Sequence, residues 1–165
     1  MPSKDFLECL KDVYHGEQTG EIFFDAMLEK ADSPEQQYIV GSFLQFETEG
    51  KALIRPAMSR FGLSMVEDRQ ARETVSAGKE TLFAMSWEES FAAINETTRS
   101  TYLQRYVELE TLVCAEEEPE TAKLAKFMGD HERALVLATE NILNDSENPM
   151  EPIVSLLHFP LFRPA

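Results

Sequence analysis

The chain has 165 residues, 43% hydrophobic and 27% charged; this is the size and balance of one folded domain and excludes a disordered or membrane-embedded composition. Acidic residues outnumber basic ones 30 to 15, and the net charge of -15 repels phosphate backbones and anionic lipid, so neither nucleic acid nor a membrane is an expected partner. Cys9 and Cys114 have no CxxC spacing and the N-terminus has no apolar leader region, which points to a reducing, cytoplasmic setting.

From Asp5 to Ala31 one stripe reads Phe6, Leu10, Val13, Glu17, Gly20, Phe24, Met27, Ala31. Steps of three and four residues predict a helix with one buried seam, and Glu17 occupies that seam. Asp32-Ser33-Pro34-Glu35-Gln36 then stops one helix and starts the next: Ser33 suits the N-cap, Pro34 the first helical position and Gln36 the third place of a capping box. So short a loop predicts antiparallel neighbours. The second helix, Pro34 to Phe61, carries the seam Val40, Phe43, Glu47, Gly50, Ile54, Ala57, Phe61. A second glutamate sits in its middle, and Pro56 is expected to kink or loosen the last turns.

Gly62 ends that helix. The more polar stretch Ser64 to Met85 reads as a crossover, with Ser64 and Glu67 spaced as a capping box ahead of a short helix. Ser86-Trp87-Glu88-Glu89 is another capping box, opening a helical segment through Phe91 and Ile94. The third main helix is expected from Thr98 to Ala115, with Tyr102, Leu103, Tyr106, Leu109, Leu112 and Val113 inward. Glu116-Glu117-Glu118-Pro119 forms the next break, before a fourth helix to Leu143 whose inner stripe is Leu124, Phe127, His131, Leu135, Ala138, Ile142. The tail from Asn148, with Pro149, Pro152, Pro160 and Pro164, cannot be a long helix and is expected to pack across one end. The expected fold is all-α: an antiparallel four-helix bundle over residues 1–165, with a crossover between helices 2 and 3 and a Pro-rich tail.

Depth along such a bundle comes from counting. Glu17 and Glu47 each lie about fifteen residues from the first turn, so antiparallel packing sets them at one level, face to face. His131 lies about fourteen residues beyond the turn near residue 117, at a similar depth. Two carboxylates and an imidazole then converge in an apolar interior, which is costly unless they share a proton, meet a cation or hold a metal. Lys51, one turn beyond Glu47, offers the second solution, and a divalent ion the third. Tyr102 and Tyr106, four residues apart, line such a pocket as cofactor-contacting residues or simply fill the core. Gly20 and Gly50 weaken their helices, which points to close helix approach or space left for a ligand. His15 and Glu21 are either supporting or surface residues, Glu132 points to a neighbouring helix or, as the expected case, to solvent, His158 lies on the surface, and both cysteines are buried as small apolar groups.

The helix order, the short first turn and the long crossover resemble the ferritin-like superfamily. Its diiron-carboxylate members place one Glu on the first helix, ExxH on the second, one Glu on the third and ExxH on the fourth. Glu17, Glu47 and His131 match this pattern. Gly50 stands where the second helix has His in the family, Met128 where the fourth has Glu, and on the third helix the matching depth falls near Leu103, with Glu110 about two turns away. The resemblance implies a metal-binding protein, as an oxidoreductase or oxygenase with a small-molecule substrate. Its site would be reduced to Glu17, Glu47 and His131 and hold one ion of iron or manganese, or of zinc, with no catalytic residue assigned. The alternative is a metal-free bundle that binds an apolar small molecule or a partner protein, its polar layer kept for packing specificity. A homodimer is compatible with either reading.

Overall fold

The computed structural model describes residues 2–164, and every regular element among them is helical. Helix α1 (Lys4–Leu28) starts where the Ser3 hydroxyl accepts the Phe6 amide at 3.1 Å. Ser33 does the same for Gln36 at 3.1 Å to open α2 (Pro34–Arg60), with Pro34 in the first turn. The Gln36 side chain turns back to the amide of Asp32 at 2.8 Å, one residue earlier than the expected box. Helix α2 continues through Pro56; both Pro56 and Ala52, whose carbonyl loses its partner, are exposed, so the missing bond falls on the solvent side of the helix.

Helix α3 (Arg69–Ala84) begins later than the Ser64 and Glu67 spacing predicts. Asp68 is its cap, accepting the Gln70 amide at 2.9 Å, while the Ser64 hydroxyl serves the Val66 amide. Being polar, α3 buries only Leu82. Its C-terminal end is held by Lys30, whose ammonium donates to the carbonyls of Leu82 (2.8 Å) and Met85 and to the Ser90 hydroxyl, a cation placed where a helix leaves carbonyls unpaired.

Ser86 and Glu89 form the predicted capping box at the head of α4 (Trp87–Thr97). The helix expected to begin at Thr98 does not start there. Helix α4 runs through a π turn, Thr98–Tyr102, directly into α5 (Leu103–Thr111), so one interrupted helix spans both segments and ends before Ala115. A π turn holds one residue more than an α turn and so rotates the next segment about the helix axis. Phe91 and Ile94 face inward before it, Thr98 at its start, and Tyr106 and Leu109 after it; Tyr102, Leu103, Leu112 and Val113 are only half-buried. Helix α6 (Pro119–Leu143) has the expected bounds, and the tail forms only the short α7 (Glu151–Val154).

Two apolar cores result. One gathers Phe24, Met27, Val40, Phe43, Phe91, Leu135 and Ala138, closed by Met150, Ile153 and Leu157 of the tail. The other gathers Phe6, Leu10, Val13, Ile54, Met58, Leu109 and Met128. Buried Cys9 belongs to the second, its thiol donating to the Arg105 carbonyl at 3.2 Å and pushed up to about 11 by burial; Cys114, expected inside, is exposed. Between the two cores lies a layer of buried polar residues that includes Glu17, Glu47, His131 and Glu132.

The tail is clamped after α7. Glu49 of α2 accepts the amides of His158 (2.7 Å) and Phe159 (2.9 Å), the His158 ring at 3.1 Å and the Gln45 amide at 3.1 Å. Burial pushes the Glu49 carboxyl up, but these donors together hold it below its ordinary value. His158 itself is exposed, as expected. Glu49→Ala should therefore free the tail and cost on the order of 1–3 kcal/mol. Faster proteolysis beyond residue 155 with a lower melting temperature is the expected result; an unchanged digestion pattern would show that the apolar contacts alone hold the tail. Among the described residues no helix is long and apolar enough to cross a membrane.

Candidate metal centre and adjoining cavity

In the layer between the cores, α1 and α2 carry the same short pattern, Glu17-x-x-Gly20 and Glu47-x-x-Gly50. Each carboxylate lies over the other helix's glycine. A Cβ on Gly50 would collide with the Glu17 carboxylate and come within 2.8 Å of His131 Nε2, and a Cβ on Gly20 would collide with the Glu47 carboxylate. The two seam glycines are thus notches cut for the two glutamates, and Gly16 makes similar room for the Tyr106 hydroxyl.

Glu17 is fully buried; its Oε1 accepts the Tyr106 hydroxyl at 2.8 Å. Its Oε2 lies 3.5 Å from His131 Nε2 and has no hydrogen-bond partner. The His131 ring stacks on Phe46 with centroids 3.7 Å apart and planes 5° from parallel. Nε2 lies 3.2 Å from the Phe46 carbonyl; a carbonyl only accepts, so this bond places the proton on Nε2 and leaves a lone pair on Nδ1. That Nδ1 is buried and unpartnered.

The third member of the cluster is Glu132, which is not in solvent, the expected case for it. It is 4% exposed, and one donor atom from each of Glu17, His131 and Glu132 lies within 4.8 Å of the others. Adjacent helical residues point about 100° apart, so both face inward only because α6 buries a wide face. The signal was present as buried pairs: Met128-Gly129, His131-Glu132, Ala134-Leu135, Ala138-Thr139, a stripe two residues wide at helical steps. Glu47 shares the layer but is not one of the three convergent donors; it lines the adjoining cavity.

That cavity measures about 410 Å³ and is walled mainly by Phe23, Phe24, Leu82, Ile94 and Leu135. Glu47, Glu132 and Tyr106 reach it from the buried side, while exposed Gly78 and Thr81 of α3 and Ala93 and Thr97 of α4 frame its mouth. Tyr102, in the π turn, also lines it. The two tyrosines are therefore brought to the site, Tyr106 through a direct bond to Glu17.

Comparison with family models, curated proteins and solved structures finds no match.

The layer's electrostatics are set by burial. Desolvation, then the neighbouring Glu132 charge, raises Glu17 well above its ordinary value, with the Tyr106 bond working against them. Desolvation followed by the Glu17 and Glu132 charges does the same to Glu47. Glu132 is pushed up to about 8 and His131 down to about 4, each chiefly by burial. Lys51 relieves Glu17 only as the smallest contribution, because its ammonium is bound by Glu21, which also accepts the Thr48 hydroxyl at 2.8 Å. Glu110 pairs with Arg133 at 2.6 Å over Gly129, outside the cluster. Met128 fills the second core, and half-buried His15 sits beside the Tyr14 ring.

Gly50→Ala tests the notch. The added methyl must displace the Glu17 carboxylate, while Ala gains about 1 kcal/mol of helix propensity over Gly. Overpacking of this kind costs about 1–3 kcal/mol, so the net change should be a loss of up to about 2 kcal/mol, whereas any stabilisation by divalent metal should be lost. Metal stabilisation that persists in Gly50→Ala would remove Glu17 from the ligand set.

Proposed function

We propose that the chain is a ferritin-like four-helix bundle that holds one iron or manganese ion on Glu17, His131 and Glu132, with Glu47 beside them, and acts on a small molecule admitted by the cavity as an oxidoreductase or oxygenase. The observation that supports this is the convergence of three buried donors within 4.8 Å, two of which keep an atom with no hydrogen-bond partner, Glu17 Oε2 and His131 Nδ1. Buried polar atoms are rarely left so without a reason, and two carboxylates with one imidazole form a donor set suited to a divalent transition metal. The residues present therefore fit an ion.

A bound ion of this kind supplies redox or Lewis-acid chemistry at open coordination positions. Tyr106 fixes the rotation of the Glu17 carboxylate, and Phe46 fixes the His131 ring by stacking and through its carbonyl, the supporting contacts that ligands require. The cavity wall is mainly aromatic and aliphatic, and Glu47 can hold a proton at the face a substrate meets.

Titration of chelator-treated protein with Fe(II), Mn(II) or Zn(II) tests the reading. The melting temperature should rise with saturation at about one ion per chain, because a ligand of the folded state alone stabilises it by mass action, and His131→Ala should abolish the rise. No response, or one unchanged in His131→Ala, would favour the metal-free bundle whose cavity holds an apolar small molecule; the cavity itself is what supports that second reading. Two equivalent tight sites would mean that this ligand set is wrong.

A further inference from the structure

Beyond the ion, the cavity has a chemical preference written into its wall. The side chains that line it include aromatic and aliphatic groups, hydroxyls and two carboxylates, and no lysine, arginine or histidine. Glu47 and Glu132 are each 4% exposed, and neither has a hydrogen bond or ion pair to another described residue. The nearby cations are committed elsewhere: Lys51 to Glu21, Arg133 to Glu110, Lys30 to the end of α3. Of the two cavity carboxylates, Glu132 also belongs to the convergent trio, which leaves Glu47 as the buried carboxylate with no partner among the described residues.

We propose that the cavity binds a primary amine carried on an apolar body, with the ammonium group seated against Glu47 and the hydrocarbon lying between Phe24, Leu82 and Ile94. The proposal names a substrate class for the metal-dependent function but rests on the cavity and Glu47, not on the ion. An ammonium group brings three donors to Glu47, and its charge favours the ionised, acceptor-only carboxylate over the neutral carboxyl that burial otherwise prefers; the charge-assisted bond that results in an apolar enclosure is stronger than a neutral one. An anionic ligand would meet two carboxylates and no donor of positive charge, and the net charge of -15 already repels it at a distance. A volume of about 410 Å³ lies within the range of small-molecule pockets. The mouth is framed by the small side chains of Thr81, Ala93 and Thr97 and by Gly78.

Calorimetric titration of the chelator-treated full chain with octylamine, octanol and octanoate separates headgroup from hydrocarbon. Octylamine should bind with one-to-one stoichiometry and roughly tenfold or more tightly than octanol, the advantage expected of a hydrogen bond to a charged group, and octanoate should show no binding. Glu47→Gln should bring octylamine down to the affinity of octanol. Thr97→Trp, at the exposed mouth, should block both without disturbing the fold, as checked by circular dichroism. Equal binding of octylamine and octanol, an amine preference that survives Glu47→Gln, binding unaffected by Thr97→Trp, or no binding of octylamine would each overturn the proposal. His131→Ala keeps the two readings apart: it removes a proposed metal ligand that does not line the cavity, so it should lose the metal response and retain octylamine binding.

Discussion

Stripped of metal by a chelator, the protein should lose stability as the pH rises from about 6.5 to 8, a range in which most folded proteins change little. Burial raises Glu132 from 4.5 to about 8 in the folded chain. A raised carboxyl binds its proton in the folded state after the unfolded chain has released it, so its contribution is full below 4.5 and is lost as the pH climbs through 8. His131 works in the opposite sense: its folded value is lowered from 6.5 to about 4, so its contribution is present above 6.5 and lost as the pH falls toward 4. Between 4.5 and 6.5 the two slopes oppose each other. Above 6.5 only the carboxyls act, and Glu132 alone should remove about 2 kcal/mol between pH 6.5 and 8, with Glu17 and Glu47 adding in the same direction. Chemical denaturation at several pH values measures this. Glu132→Gln should flatten the curve, and a wild-type curve that is already flat or rises would mean that the carboxyls are relieved by a partner or by water. Added divalent metal should reverse the slope, because its ligands must be deprotonated.

The parts of this layer that the sequence revealed and the parts it hid differ for one physical reason. Glu17, Glu47 and His131 stand on seams whose three-and-four spacing survives along unbroken helices, so counting from a turn placed them at one level, and all three are buried there. Gly20 and Gly50 were legible as costs to helix stability, and the structure supplies the compensation: each is the seat of a carboxylate from the other helix. Glu132 was missed because a single stripe was assumed for α6, whereas a helix packed on two sides buries a second stripe about 100° away. The π turn was missed because nothing in Thr98–Tyr102 breaks a helix; only tertiary packing decides that one extra residue is accommodated there. That same turn carries Tyr102 into the cavity and resets α5 so that Tyr106 meets Glu17, which is why the third helix was the least legible element.

The double replacement Glu17→Gln with Glu47→Gln should raise the stability of the metal-free protein while abolishing its response to metal. Gln has the shape of a protonated Glu, so it fits the notches over Gly50 and Gly20 and keeps an oxygen to accept the Tyr106 hydroxyl, while it removes two groups that burial keeps from ionising. Replacing buried ionised groups by neutral ones of similar volume is commonly worth about 1–4 kcal/mol. The gain should be small near pH 4, where the folded and unfolded wild type are both largely protonated at these positions, and should grow toward pH 8 as the unfolded chain alone would ionise. A gain that does not vary with pH would point to packing, and a clear loss would mean that the carboxyls make charge-dependent contacts that Gln cannot. Stability and ligand binding should therefore move in opposite directions in this variant, which is the signature of charges retained in a core for what they bind. A gain in stability with the metal response intact would leave His131 and Glu132 as the ligands and assign Glu17 to structure alone.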